Sequence, residues 1–64
     1  PFVRRLFDEM RRQQIGVIDM ESRSGIHRNT LRDWRTRTKP NVDNIEACLN
    51  VVGLRLAIVK IAED

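Results

Sequence analysis

The sequence predicts a small, mainly α-helical domain of four helices, followed by a short C-terminal β-strand. Two observations support this fold class. Apolar residues recur at helical spacing over most of the chain, and glycine or proline separates the periodic segments. The length of 64 residues allows one domain with a thin core. We therefore predict a helical domain over residues 1–53 and a tail over residues 54–64.

The first helix is predicted over about residues 2–14. Its apolar side chains lie one, three or four residues apart and form one stripe, which contains Phe2, Val3, Leu6, Phe7 and Met10. The charged side chains of this segment fall on other faces and are expected in solvent: Arg4, Arg5, Asp8, Glu9, Arg11 and Arg12. Gly16 interrupts the pattern and is an acceptable N-cap for a second helix.

The second helix is predicted over residues 17–24 and ends in a glycine turn. Val17, Met20 and Ser24 share one of its faces. Gly25 follows, and glycine adopts the left-handed conformation at a helix end without steric cost. A change of chain direction is therefore expected at Gly25.

The third helix is predicted from His27 to about residue 34 or 35. Ile26, Leu31 and Trp34 form its inward face, so we expect Trp34 in the core. Polar side chains remain on the outward face: His27, Arg28, Asn29, Arg32 and Asp33. A basic loop follows, from Arg35 to Pro40, and the proline closes it.

The fourth helix is predicted over about residues 42–52, with Asn41 as its N-cap. Its apolar stripe contains Val42, Ile45, Leu49 and Val52, and Gly53 ends it. Cys48 lies beside this stripe, so we expect a small buried apolar residue there rather than a reactive thiol.

The tail alternates between apolar residues and others from Leu54 onward and is rich in β-branched residues, which favours a strand. A helix with Leu54, Ala57, Ile58 and Ile61 on one face is the alternative. No other segment is a suitable partner for a strand, so the same strand of a second chain is the simplest one. The predicted dimerisation segment contains Leu54, Arg55, Leu56, Ala57, Ile58 and Val59.

Basic charge is concentrated in the middle of the chain. Residues 23–39 contain six basic residues and one acid, a net charge of +5, whereas the rest has six basic and eight acidic residues, a net charge of −2. Ten of the twelve basic residues are arginine, which suits bidentate contacts to phosphate or guanine. The segment therefore predicts a surface for an anionic partner, although a solvated charged face is the alternative.

Several classes of function are disfavoured. One cysteine and one histidine cannot form a disulfide framework or a closed Cys/His zinc site. The sequence shows no catalytic triad and no glycine-rich phosphate loop, so we expect neither an enzyme nor a bound cofactor. The longest apolar stretch is far shorter than a membrane span, and we expect a cytoplasmic protein.

The residues from Ser24 to Trp34, SGIHRNTLRDW, resemble the turn and recognition helix of the phage Cro and repressor type of helix-turn-helix domain. The basic loop and the segment from Asn41 to Leu54 resemble the fourth helix of that family and its closing segment. The resemblance covers about residues 2–54. It implies a transcriptional regulator, with repression as the expected mode, that binds a palindromic duplex operator as a homodimer and associates with the nucleoid when bound.

The resemblance also assigns roles to residues. Base edges in the major groove would be read by His27, Arg28, Asn29, Arg32 and Asp33. Within this set, arginine pairs with guanine and Asn29 with adenine, whereas Asp33 accepts from cytosine or holds Arg32 or Arg37 in place. Phosphates would be contacted by Arg35, Thr36, Arg37, Thr38, Lys39 and Asn41.

Glu21 departs from the family pattern, which usually has alanine four residues before the turn glycine. Because an unpaired buried carboxylate is costly, we expect Glu21 to reach the edge of the helix crossing or to pair with an arginine. A second function stays open at this point. The tail also resembles that of some antitoxins, and the chain would then be an antitoxin or adaptor that binds a protein such as a toxin through its tail.

Overall fold

The computed structural model describes residues 1–62 and contains four α-helices. They are α1 (Phe2–Gln13), α2 (Val17–Ser24), α3 (Arg28–Thr36) and α4 (Val42–Val51). Helices α1 and α2 each pack against both α3 and α4. The prediction of an all-α domain with four helices is therefore confirmed, and every helix begins and ends within two residues of its expected limits.

The helix ends follow from local chemistry. Gly25 has a φ of 81° and ends α2, and its backbone N–H donates to the Glu21 carbonyl at 2.9 Å. Asn41 caps α4, because its Oδ1 accepts from the backbone N–H of Asn44 at 2.8 Å. Helix α1 ends at Gln13, and its C-cap residue, Gln14, has a φ of 60° without being a glycine.

One core holds the four helices together. Leu6, Met20, Leu31 and Cys48 have no exposed surface, and Trp34 is 7% exposed. The predictions for Cys48 and Trp34 as core residues are thus confirmed. Burial raises the pKa of the Cys48 thiol above its usual range, so the thiol is neutral at physiological pH. The remaining buried apolar residues are Met10, Ile15, Ile45, Leu49 and Val52.

Three predictions about helix faces are wrong. Phe2 and Val42 were expected in apolar stripes but are 60% and 67% exposed. Each is the first residue of its helix, and the buried stripes begin only at Leu6 and Ile45. Glu9 was expected in solvent but is only 7% exposed, because charged and amide partners on its own helix satisfy its carboxylate.

The predicted strand is not formed in the described part of the tail. Residues 54–62 have no regular secondary structure in the single chain, and the last two residues of the predicted 54–64 segment lie outside the described residues. Leu54 and Leu56 pack against the domain's own core, whereas Ile58, Val59 and Ile61 are largely exposed. Residues 1–62 contain no strand with which this segment could pair.

Candidate nucleic-acid interface

The outer face of α3 is polar and accessible. Leu31 and Trp34 hold the inner face of the helix in the core. The opposite side presents Arg28, Asn29 and Arg32, all exposed, and the half-buried Asp33. Four of the five predicted base-reading residues therefore lie together on one helix, with the fifth, His27, at its N-terminus.

His27 caps the helix. Its Nδ1 accepts from the backbone N–H of Asn29 at 3.0 Å, which satisfies one of the free donors at the start of α3. The side chain remains exposed. The sequence predicted that the helix starts at His27; α3 begins one residue later, at Arg28, with His27 as its N-cap residue.

Contacts within the outer face orient two of its side chains. The Nη1 of Arg32 donates to Oδ1 of Asn29 at 3.4 Å, one turn away. This hydrogen bond leaves the Asn29 amide hydrogens and the rest of the guanidinium available to a ligand. Of the two roles predicted for Asp33, holding Arg32 or Arg37 is not seen among residues 1–62, where its contacts run through its backbone carbonyl, and accepting from cytosine stays a prediction.

Glu21 and Arg28 form a contact between α2 and the first turn of α3. The Glu21 Oε1 accepts from the backbone N–H of Arg28 at 3.3 Å and from its Nη1 at the same distance. The Arg28 side chain is 44% exposed and that of Glu21 is 30% exposed. Both expectations for Glu21 are confirmed, since it lies at the edge of the crossing and pairs with an arginine. The sequence did not indicate which arginine, because the two residues lie seven positions apart across a turn.

The predicted phosphate-contacting residues run from the last turn of α3 through the following loop to the N-terminus of α4. The backbone N–H groups of Arg37 and Thr38 donate to the Asp33 carbonyl at 2.7 and 3.0 Å, which fixes the start of the loop. Their side chains and that of Lys39 are exposed. Asn41 lies at the N-terminus of α4, where free backbone N–H groups and the helix dipole favour an anion.

The Arg35 side chain is directed toward α1, unlike the side chains of the basic loop. Its guanidinium carbon lies 5.0 Å from the centre of the Phe7 ring, a cation–π contact with α1. Arg35 thereby lines an open groove between α1 and α3, together with Arg4 and Arg11. It lies at the edge of the outer face of α3, toward α1, rather than within the basic loop.

Other kinds of site find little support in residues 1–62. This part of the chain has no cluster of histidine, cysteine and carboxylate side chains able to hold a metal ion. It also has no helix with the length and apolar character needed to cross a bilayer.

Comparison with protein-family models, with curated proteins and with solved structures finds no match to this chain.

Proposed function

We propose that this chain is a sequence-specific regulator of transcription that binds duplex DNA. Helices α2 and α3 and the turn at Gly25 would act as a helix-turn-helix of the Cro and repressor type, with α3 in the major groove. The observation that carries the proposal is the outer face of α3. Three exposed side chains with hydrogen-bond donors, Arg28, Asn29 and Arg32, project from a helix whose other side is locked in the core.

The electrostatics of the neighbouring loop support this proposal. Arg37 and Lys39 are exposed, and among residues 1–62 neither forms an ion pair. Exposed cations without an ion pair are surrounded by water and small ions. When DNA phosphates bind such cations, counterions are released from the DNA, and this release favours binding. The loop would then fix the register of the domain on the backbone while α3 reads bases.

The tail supports a homodimer as the binding unit. Ile58, Val59 and Ile61 are 103%, 79% and 83% exposed, an unusual set of apolar side chains for the surface of so small a chain. Pairing of this segment with its copy would satisfy the backbone and bring these side chains beside those of the other strand. Two recognition helices would then face half-sites about 10–10.5 bp apart on a palindromic operator.

Selection of the purified chain on a random duplex DNA library at moderate salt tests the proposal. Enrichment of a palindrome with this half-site spacing is the expected result. A single unpaired half-site would retain the recognition helix but contradict the dimer. No enrichment of any sequence would contradict DNA recognition itself.

The exposed apolar tail also favours a second candidate function, in which the chain holds a protein partner by strand addition. Replacing Arg28 and Asn29 together with alanine distinguishes the two. Under the first function the double variant loses operator binding, whereas under the second it keeps its partner. Replacing Ile58 and Val59 with serine should abolish binding of the protein partner under the second function. Under the first function the same replacement should remove the dimer.

A further inference from the structure

Glu21 holds one edge of the Arg28 guanidinium. Its Oε1 lies 3.3 Å from Nη1 of that residue, and the carboxylate belongs to a different helix. A guanidinium has five N–H donors in a rigid plane, so holding one nitrogen fixes the direction of the others. The Nε and Nη2 groups of Arg28 form no hydrogen bond among the described residues.

These two remaining nitrogens form an edge suited to guanine. Bidentate pairing of arginine with guanine requires two parallel N–H donors directed at O6 and N7. Arg28 is the first residue of α3, and the N-terminal residues of a recognition helix are those that reach base edges. The other outward arginine of the helix, Arg32, is held only by the neutral amide of Asn29 at 3.4 Å.

The carboxylate has a second effect, on DNA in general. Glu21 is 30% exposed beside the outer face of α3, so it repels phosphates near that surface. Such repulsion acts equally on every sequence. It therefore lowers the affinity for all duplexes, and the discrimination between bases comes from the guanine contact alone.

We propose that Glu21 is a positioning residue that makes Arg28 select guanine at one base pair of each half-site and weakens binding to non-specific DNA. The inference rests on the proposed function, since it needs α3 in the major groove. Preorganisation supplies the selectivity, because an arginine already fixed in direction loses less side-chain freedom on binding the right base and adapts less to the wrong one.

The test compares Glu21→Gln with Asp19→Asn. The glutamine substitution keeps the size of the side chain and one accepting oxygen, so the contact with the backbone at the start of α3 is retained, and it removes the charge that strengthens the hold on the Arg28 guanidinium. Asp19 lies on the same helix, where its carboxylate pairs with Arg23 at 3.0 Å. Its replacement with asparagine changes the net charge by the same amount as Glu21→Gln. Affinities are measured for the selected operator, for operators with the Arg28-dependent base pair changed, and for random duplex.

For Glu21→Gln we expect discrimination at that base pair to fall about tenfold and binding to random duplex to tighten. Asp19→Asn should tighten binding to every sequence alike and leave discrimination unchanged. In an Arg28→Ala background, Glu21→Gln should no longer alter discrimination. A Glu21→Gln variant with wild-type discrimination, or equal losses in both carboxylate variants, would overturn the inference.

The wild-type chain separates this inference from the proposed function. Failure of the wild-type chain to prefer any duplex sequence would overturn both. A clear wild-type preference that Glu21→Gln leaves intact overturns only the role of Glu21. The melting temperature of each variant, followed by circular dichroism, shows whether a loss reflects recognition or unfolding.

Discussion

The arginines of α1 and those of α3 differ in what surrounds them. On α1, Arg5 and Arg12 both pair with the buried carboxylate of Glu9, through Nη1 at 3.2 Å and Nε at 2.9 Å. Gln13 donates to the same carboxylate at 3.0 Å and to the Val52 carbonyl at 2.9 Å, which connects α1 to the end of α4. On α3, by contrast, the described carboxylate contact of an arginine is that of Arg28 with Glu21.

The contrast shows that the number of arginines does not define a binding surface. An arginine paired with a buried carboxylate on its own helix stabilises the fold, whereas an arginine without such a pair stays available to a ligand. The net charge of +5 between residues 23 and 39 matters because few acids neutralise it locally. Each of the following predictions tests this division of roles.

The largest expected effect on DNA binding comes from replacing two arginines of one helix together. Replacing Arg28 and Arg32 with alanine should weaken operator binding by about 10²-fold or more, since each bidentate base contact contributes about 1–3 kcal/mol. The melting temperature should change little. Replacing Arg5 and Arg12 should instead lower the melting temperature and leave operator affinity nearly unchanged. Fluorescence anisotropy and thermal unfolding measure the two properties, and an equal loss of affinity in both double variants would contradict the division.

The basic loop should control the salt dependence of binding. With about six phosphates neutralised, a plot of log affinity against log salt should have a slope near −5. Replacing Arg37 or Lys39 with alanine should reduce the magnitude of that slope by about 1 and weaken all sequences alike. Titrations at several salt concentrations give the slope, and a value near zero for the wild type would exclude phosphate binding by this surface.

Glu9 should make the stability of the fold sensitive to acid. Hydrogen bonds from Arg12 and Gln13, and the charges of Arg12 and Arg5, lower the pKa of Glu9 from 4.5 to about 2. A carboxyl whose pKa is lower in the folded state contributes stability above its unfolded pKa, and that contribution disappears as the pH falls from about 4.5 to about 2.

Replacement of Glu9 with glutamine should therefore lower the melting temperature at pH 7 and flatten its decline below about pH 4.5. Asp8→Asn, at an exposed carboxylate on the same helix, serves as the control and should retain the wild-type acid sensitivity. Identical pH profiles for Glu9→Gln and the wild type would contradict a stabilising role for the ionised Glu9 carboxylate.

The smallest effects are expected at the helix caps. His27→Ala and Asn41→Ala should each lower stability by about 1 kcal/mol through loss of a cap hydrogen bond. Asn41→Asp separates helix capping from phosphate contact, because aspartate caps a helix equally well but repels phosphate. It should keep the melting temperature and weaken DNA binding. Urea unfolding and anisotropy give the two quantities, and unchanged affinity would remove Asn41 from the interface.

The sequence predicted the helices well because their limits depend on neighbouring residues. Gly25, Asn41 and the spacing of Leu31 and Trp34 act within a few positions of one another, so a pattern is enough to locate them. The outward face of α3 follows directly from the inward one. These local signals predicted α2 with its observed limits, residues 17–24.

The features that the sequence did not predict depend on partners. Glu9 lies at the border of a helix face, and its burial depends on Arg5, Arg12 and Gln13, which lie three or four residues away. That spacing was the signal in the sequence that could have predicted a buried Glu9. The tail satisfies the periods of both a strand and a helix, and its first half packs on its own core instead. The periodicity of one chain cannot show whether its tail pairs as a strand with a second chain.

The cap at His27 has a consequence for how the ring would contact DNA under the proposed function. Because Nδ1 accepts a hydrogen bond from the backbone, the neutral imidazole has its proton on Nε2, and this tautomer is fixed by the helix itself. The exposed ring can then donate from Nε2 to a base or phosphate while Nδ1 continues to cap α3. Folding and the proposed recognition would use opposite nitrogens of one side chain, so binding through Nε2 would not cost the helix its cap.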